Sequence, residues 1–258
     1  MPLAEFFVRG ADISFGLANP FRIITLNGVC SWQDSFDEKA SPITNYLDTR
    51  NHLVHLLTGH VHKGKREIRN VLRTFVARRA DVMLYESAEA GLQAIEDVLQ
   101  GPDFWREHLD MVERRKALTS MTVIERMRPI DNSAITAATQ RALPRRLSNK
   151  LAYYLTAKGL LLPRGLFKRQ PALTPKTYGV DRYALFRFEQ ALYLSQKGQS
   201  GFVATYDKAR FLTIMLRATK LRRTLLRRFD QLSSDYRQGY EELTSRAHWQ
   251  AVYREEPS

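Results

Sequence analysis

FRIITLNGVCSW, residues 21–32, is the stretch that most restricts how this chain can fold. It is a short apolar run broken at Asn27-Gly28, and it reads as one strand or two. A lone strand pair is marginal in water and needs a larger sheet or a helix to cover it. Few later segments offer convincing partners, so most of the sheet that this run calls for is absent from the pattern.

Beyond residue 40 the spacing turns helical. Ser41-Pro42 has the form of an N-cap followed by a first-turn proline. Ile43, Tyr46, Leu47, Leu53, Val54 and Leu57 then keep helical spacing up to Gly59. A second helix carries Ile68, Val71, Leu72 and Phe75. A third sets Tyr85, Ala88, Leu92, Ile95 and Leu99 on one face and stops at Gly101-Pro102. Asp103 reads as the cap of a fourth helix through Phe104 and Met111. Residues 120–145 look irregular. Residues 141–187 are basic, with eleven Lys or Arg against the single acid Asp181. A last helix runs from Tyr206 to about Tyr240, with Leu221, Leu225, Phe229, Leu232 and Tyr236 on one stripe.

The whole chain of 258 residues carries 40 Lys and Arg against 27 Asp and Glu, a net charge of +13. Such a balance calls for an anionic partner: nucleic acid, membrane headgroups or a phosphorylated ligand. Nucleic acid is disfavoured. The arginines of LRRTLLRRF, residues 221–229, lie on the arc left over by an apolar stripe, as in any amphipathic helix, and no zinc, RNA-binding or helix-turn-helix signature is present. LAYYLTAKGLLLPRGLF, residues 151–167, mixes apolar and basic residues. It either lies in a membrane interface over anionic lipid or folds against the core. No run approaches the ~18 apolar residues of a spanning helix, and no leader is visible. The expectation is a cytoplasmic protein, soluble or peripheral to the inner face of the cell membrane. One cysteine, Cys30, excludes an internal disulfide framework.

Candidate chemistry is sparse. In FFVRGADISFGL, residues 6–17, Asp12 stands among apolar residues between Gly10 and Gly16. It is either a general base or the cap of a short helix through Phe15 and Leu17. His52 and His55 share a helical face, yet no cysteine or suitably spaced acid completes a ligand set. There is no glycine-rich phosphate loop, no GxSxG, no HExxH, and no Asp-x-Asp to hold a cation against a diphosphate.

RGADISFGL, TLNGVCSW and TRNHLV (49–54), taken together, resemble the end of the catalytic domain in family 2 glycosyltransferases of the galactofuranosyltransferase type. AGLQAIEDVLQGPDFW (90–105), GFVATYDKARF (201–211) and LLRRFDQLSSDYRQGYEELTSRAHWQ (225–250) are similar to later segments of that family, in the same order. The resemblance implies a mostly α chain: the last one or two strands of a GT-A α/β domain, followed by a helical C-terminal region. The divisions would be 1–40 (end of the catalytic domain), 41–140 (helical), 141–187 (basic connection) and 188–258 (C-terminal helices).

The resemblance also implies inverting transfer from a UDP-sugar to a lipid-linked glycan, assisted by a divalent cation, Mg or Mn. Asp12 falls on the second acid of the family's pair, which acts as general base, and Trp32, Arg50 and Asn51 fall at the acceptor side or rim of the site. Three departures stand out: Ala11 replaces the first acid, Ser14 replaces a frequent glutamate, and Gln33 occupies the position of a metal-binding histidine. An amide is a poor substitute for imidazole on a transition metal, so most cation ligands are missing here. The nucleotide-binding half would lie upstream of Met1, leaving a chain inactive alone, self-associating or paired with a separate N-terminal half. The alternative is a basic helical module without catalysis that binds membrane lipid or nucleic acid.

Overall fold

A computed structural model describes residues 39–60, 64–108, 111–138, 147–175 and 180–248, with Arg22, Gly28 and Gln250 besides. Helix α1 (Pro42–Thr58) begins as the sequence dictates. Ser41 caps it, its hydroxyl accepting from the Thr44 amide while the Thr44 side chain accepts from the Ser41 amide, and Gly59 ends it at φ 86°. Helix α2 covers 66–81 as Arg66–Leu72, a π-helical stretch Arg73–Ala77, and Arg78–Asp81. Helix α3 (Tyr85–Gln100) buries Ala88, Leu92 and Ile95 completely and stops at Gly101, as expected. Helix α4 (Pro102–Glu107) follows at once. Asp103 is therefore not its cap but a first-turn residue bonded to Arg106 at 2.7 Å. Met111 belongs elsewhere too, in left-handed conformation at the head of α5 (Val112–Met121).

The strands that the sequence did not disclose lie between residues 128 and 205. They are β1 (Arg128–Pro129), β2 (Ala172–Pro175), β3 (Gln190–Leu194) and β4 (Ser200–Thr205), in the order β1-β4-β3-β2, with β2 parallel to β3 and the other pairs antiparallel. Short helices α6 (Asn132–Ala137), α7 (Leu147–Leu155) and α8 (Arg182–Leu185) fill the connections. Ala191, Leu192 and Tyr193 in β3 are all buried, so the strand lacks the alternation that would have marked it. Ala191 and Tyr193, opposite Ala204 and Phe202, face the helices, and the Tyr193 hydroxyl donates to the Val82 carbonyl at 2.6 Å. The protein is mostly helical with a small sheet on one side of the same core.

Helix α9 (Lys208–Leu243), capped by the Asp207 side chain, runs beside α3 in the same direction. Arg210 grips Glu89 through two hydrogen bonds, and Arg217 grips Glu96 likewise, seven residues further along both helices. Past the end of α3, Arg228 and Tyr236 donate to the carbonyls of Leu99 and Val98. Both are last-turn carbonyls, which the helix cannot pair in the usual way; the Val98 oxygen also takes the Gly101 amide at 3.2 Å, and a guanidinium suits the negative end of the helix dipole. The predicted stripe is buried: Leu225, Leu232 and Tyr236 lie in the core.

Gly201 in β4 is required by close approach. A methyl there would collide with the Tyr193 carbonyl oxygen and come within 2.6 Å of Ile130 Cδ1. Gly201→Ala is expected to cost about 1–3 kcal/mol in urea unfolding, as overpacking does. An unchanged midpoint would contradict this packing.

Candidate functional site

Asp12, Trp32 and Gln33, with Ala11 and Ser14, lie outside the described residues. Arg50 and Asn51 are brought together on α1, but under the surface: Arg50 is wholly buried and Asn51 nearly so. The Arg50 Nε donates to Asn51 Oδ1 at 3.0 Å, and its guanidinium stands 5.6 Å from the centre of the Trp105 ring. Trp105 Nε1 donates to the Tyr236 hydroxyl at 2.9 Å, so α1, α4 and α9 meet through this pair. The cation is thus placed over an aromatic face in a dry interior, where such contacts are strongest.

The polar groups around that pair were not singled out in the sequence. Asn45 Nδ2 donates to the carbonyls of Phe75 and Ser87, and its Oδ1 accepts from Arg79 Nε at 3.2 Å. Asp97 is fully buried and accepts from Tyr46 at 2.6 Å, Arg114 at 2.7 Å and Gln93 at 3.1 Å. Burial pushes its carboxyl above the usual range, against the pull of these donors. The available signal was the presence of Asn45 and Asp97 at core-facing positions of two amphipathic helices, where a polar residue needs a partner.

Two carboxylates, Glu86 at the head of α3 and Glu125 on the segment after α5, tie that segment to the helix. Glu86 accepts from the amides of Val123, Ile124 and Glu125 at 2.9–3.1 Å. Glu125 returns to α3, accepting from the amide and the hydroxyl of Ser87. Burial, then the neighbouring Glu86, raises the Glu125 carboxyl to about 7 from 4.5, against the hydrogen bonds from Ser87.

A third cluster joins α2 to the basic segment. Asp81, its side chain almost wholly buried, accepts from Lys158 at 2.8 Å and Arg182 at 2.9 Å. A cavity of about 30 Å³ beside them is room for roughly one water molecule. Met83, Ala157, Lys158 and Arg187 around this junction have positive φ of 64°, 48°, 67° and 71°. Side chains in that conformation are strained and persist where packing over-determines them. Outward from the junction, Leu151, Tyr154, Leu155, Leu161 and Leu166 are exposed, among them Leu155 and Leu161 at 71%, with Lys150, Arg164 and Arg169 exposed nearby.

His52 and His55 hold to the predicted helix end. Burial lowers His55 to about 4, with His60 and His52 adding to the effect, so it is neutral near pH 7. Among the described residues no three of His, Cys, Asp and Glu come together to hold a metal ion, and no helix is long and apolar enough to cross a membrane.

The raised Glu125 pKa has a signed consequence. Between about pH 4.5 and 7 the folded protein keeps a proton that the unfolded chain releases, so this residue's contribution to stability falls as pH rises through that window. Glu125→Gln keeps both Ser87 contacts without the charge. Its melting temperature is expected to match wild type near pH 4.5 and exceed it above pH 7, by an amount equivalent to roughly 3 kcal/mol. A pH-independent difference would contradict the assignment.

Comparison with known proteins places this architecture. Residues 68–255, spanning α2 to the end of α9 and the residues after it, match the family model described as galactofuranosyltransferase-2, domain 3. The chain is also 21% identical over 268 aligned residues to galactofuranosyltransferase GlfT2 of Mycobacterium tuberculosis, an alignment covering 95% of this chain and 41% of the relative. It thus spans about two-fifths of that relative's length. Helix α1 precedes the matched region, which takes in nearly all of α2, helices α3 to α9 and the small sheet, and the chain belongs to the galactofuranosyltransferase-2 domain 3 family.

Proposed function

We propose that this chain takes part in the transfer of galactofuranose from a UDP-sugar to a lipid-linked surface glycan, at the cytoplasmic face of the membrane. The family match across residues 68–255 is the observation that supports it. In this proposal Asp12 is the general base. Inverting displacement at the sugar's anomeric carbon needs one carboxylate to remove the proton of the attacking acceptor hydroxyl as the diphosphate departs on the opposite face. Trp32, Arg50 and Asn51 are assigned to the acceptor side, Arg50 and Asn51 acting from beneath the surface. Ala11 and Gln33 offer a methyl and an amide where the family offers cation ligands, so no step is assigned to a cation on these residues. The donor-holding acidic pair is assigned to polypeptide outside these 258 residues, and the purified chain alone is expected to transfer nothing.

Contact with the membrane would fall to the exposed leucines of residues 151–166 and the cations among them. Exposed apolar side chains interspersed with Lys and Arg suit the boundary between acyl chains and anionic headgroups. Leu155→Asp with Leu161→Asp is expected to release the chain from phosphatidylglycerol vesicles in a sedimentation assay. Equal sedimentation of wild type and variant would exclude this surface.

The transfer reaction itself is tested in the membrane fraction of host cells, where any further polypeptide is present. Asp12→Asn in the chromosomal gene is expected to lower transfer from UDP-galactofuranose to a galactofuranose-terminated acceptor by at least about 100-fold. Undiminished transfer would remove Asp12 from the chemistry, and its persistence after deletion of the gene would remove the chain.

A further inference from the structure

A concave surface of about 500 Å³ opens where α5 gives way to the segment leading to β1. Its walls carry four cations, Arg115 and Lys116 from α5 and Arg126 and Arg128 from beyond it, and no carboxylate is among its lining residues. Lys116 bonds to Glu113 one turn back at 2.8 Å, and Arg128 reaches the Val123 carbonyl only at 3.4 Å. Arg115 and Arg126 are exposed and form no ion pair among the described residues.

We propose that this groove binds a small phosphate ester through the guanidinium groups of Arg115 and Arg126. Like charges crowded into one concavity repel, and an anion relieves that repulsion. Guanidinium forks match phosphate oxygens in pairs. The hydroxyls of Thr119, Ser120 and Thr122 donate to the carbonyls of Arg115, Ala117 and Leu118, which leaves the cations as the remaining side-chain donors of the groove. The volume exceeds what a bare phosphate needs and falls within the range of small-molecule sites. Val123 and the arginine stems give the remainder of the ester an apolar wall. An open concavity lined by eight residues, unlike a long basic stripe, suits a small ligand better than a polymer.

The groove is also held in shape before anything binds. Glu86 fixes three consecutive amides of the segment, Glu125 ties it to Ser87, and Leu118 anchors α5 in the interior. Arg126 and Arg128 therefore project from a backbone that is secured from the core side, so binding has only their side chains left to order. The proposal does not depend on the transfer reaction, and a binding assay tests it separately.

The experiment titrates the full chain at low salt with pyrophosphate and glucose 1-phosphate by calorimetry, and with phosphatidylglycerol vesicles by sedimentation. Three proteins are compared: wild type, Arg115→Gln with Arg126→Gln, and a control of equal charge change on the exposed face of α9, Arg223→Gln with Arg227→Gln. Circular dichroism checks that all three are folded. About tenfold weaker binding in the groove variant, with the control close to wild type, is the expected result. That loss for the soluble esters assigns a soluble ligand; that loss for vesicles alone assigns a lipid headgroup. Absence of binding to every probe overturns the proposal. So does equal affinity of wild type and groove variant, or an equal loss in the control, which would reduce the effect to net charge.

Discussion

Asn45 makes three hydrogen bonds from one side chain, and the helical part of the protein is arranged around them. Its amide nitrogen reaches the carbonyls of Phe75 and Ser87, and its oxygen takes the Nε of Arg79. Phe75 lies in the π-helical stretch of α2, where the usual helical pairing is shifted and a carbonyl becomes available to a neighbour. Gly91 on α3 faces the same point: a Cβ there would stand 3.0 Å from the Phe75 oxygen and 3.1 Å from Asn45 Nδ2. The glycine lets α1 and α3 approach until the asparagine can bridge them. A side chain at 91 would separate the donors from their carbonyls, leaving buried polar groups unpaired at a cost larger than the packing itself.

From that contact the order passes outward along α3. Its first turn presents Glu86 and Ser87, which hold the 123–125 segment through amide and carboxylate bonds in both directions. Its outer face presents Glu89 and Glu96 to the two arginines of α9. Its final carbonyls are closed by Arg228 and Tyr236, and Tyr236 in turn takes the Trp105 indole. One helix thus fixes the entry to the sheet, the direction of the longest helix and the aromatic seat of Arg50. Burial of so many polar groups in one network favours a single arrangement, because each group left unpaired would be penalised in the dry interior.

The helices were legible because their signals are local. Ser41-Pro42 and Gly59 delimit α1 as predicted, Gly101 ends α3, and the Leu221–Tyr236 stripe is the buried face of α9. The sheet was not legible. β2 and β3 pair in parallel across an intervening helix, β1 has two residues, and β3 is buried on both faces, so alternation does not mark them; the one local signal, the turn at Gly198 that joins β3 to β4, was passed over. Asp103 went wrong for a related reason. It is a good capping residue in sequence, but Pro102 already occupies the first helical turn, which moves the cap to Gly101. Of the site residues, Arg50 and Asn51 came from family resemblance; nothing in their own spacing indicates a cation buried over Trp105.

The basic segment shows how charge and strain combine. A lysine in left-handed conformation costs of order 1–3 kcal/mol, yet Lys158 adopts it at φ 67° beside Ala157, and its ammonium reaches the buried Asp81. Arg182, from the helix that follows β2, meets the same carboxylate from another direction. Removing Asp81 would strand two cations and withdraw the compensation for the strained turn together. Asp81 therefore determines where the 151–166 surface sits relative to the helical core. The exposed leucines on that surface are presented by a turn whose geometry depends on a charge buried beneath it, which is why the apolar patch and the strained residues occur within the same few turns of chain.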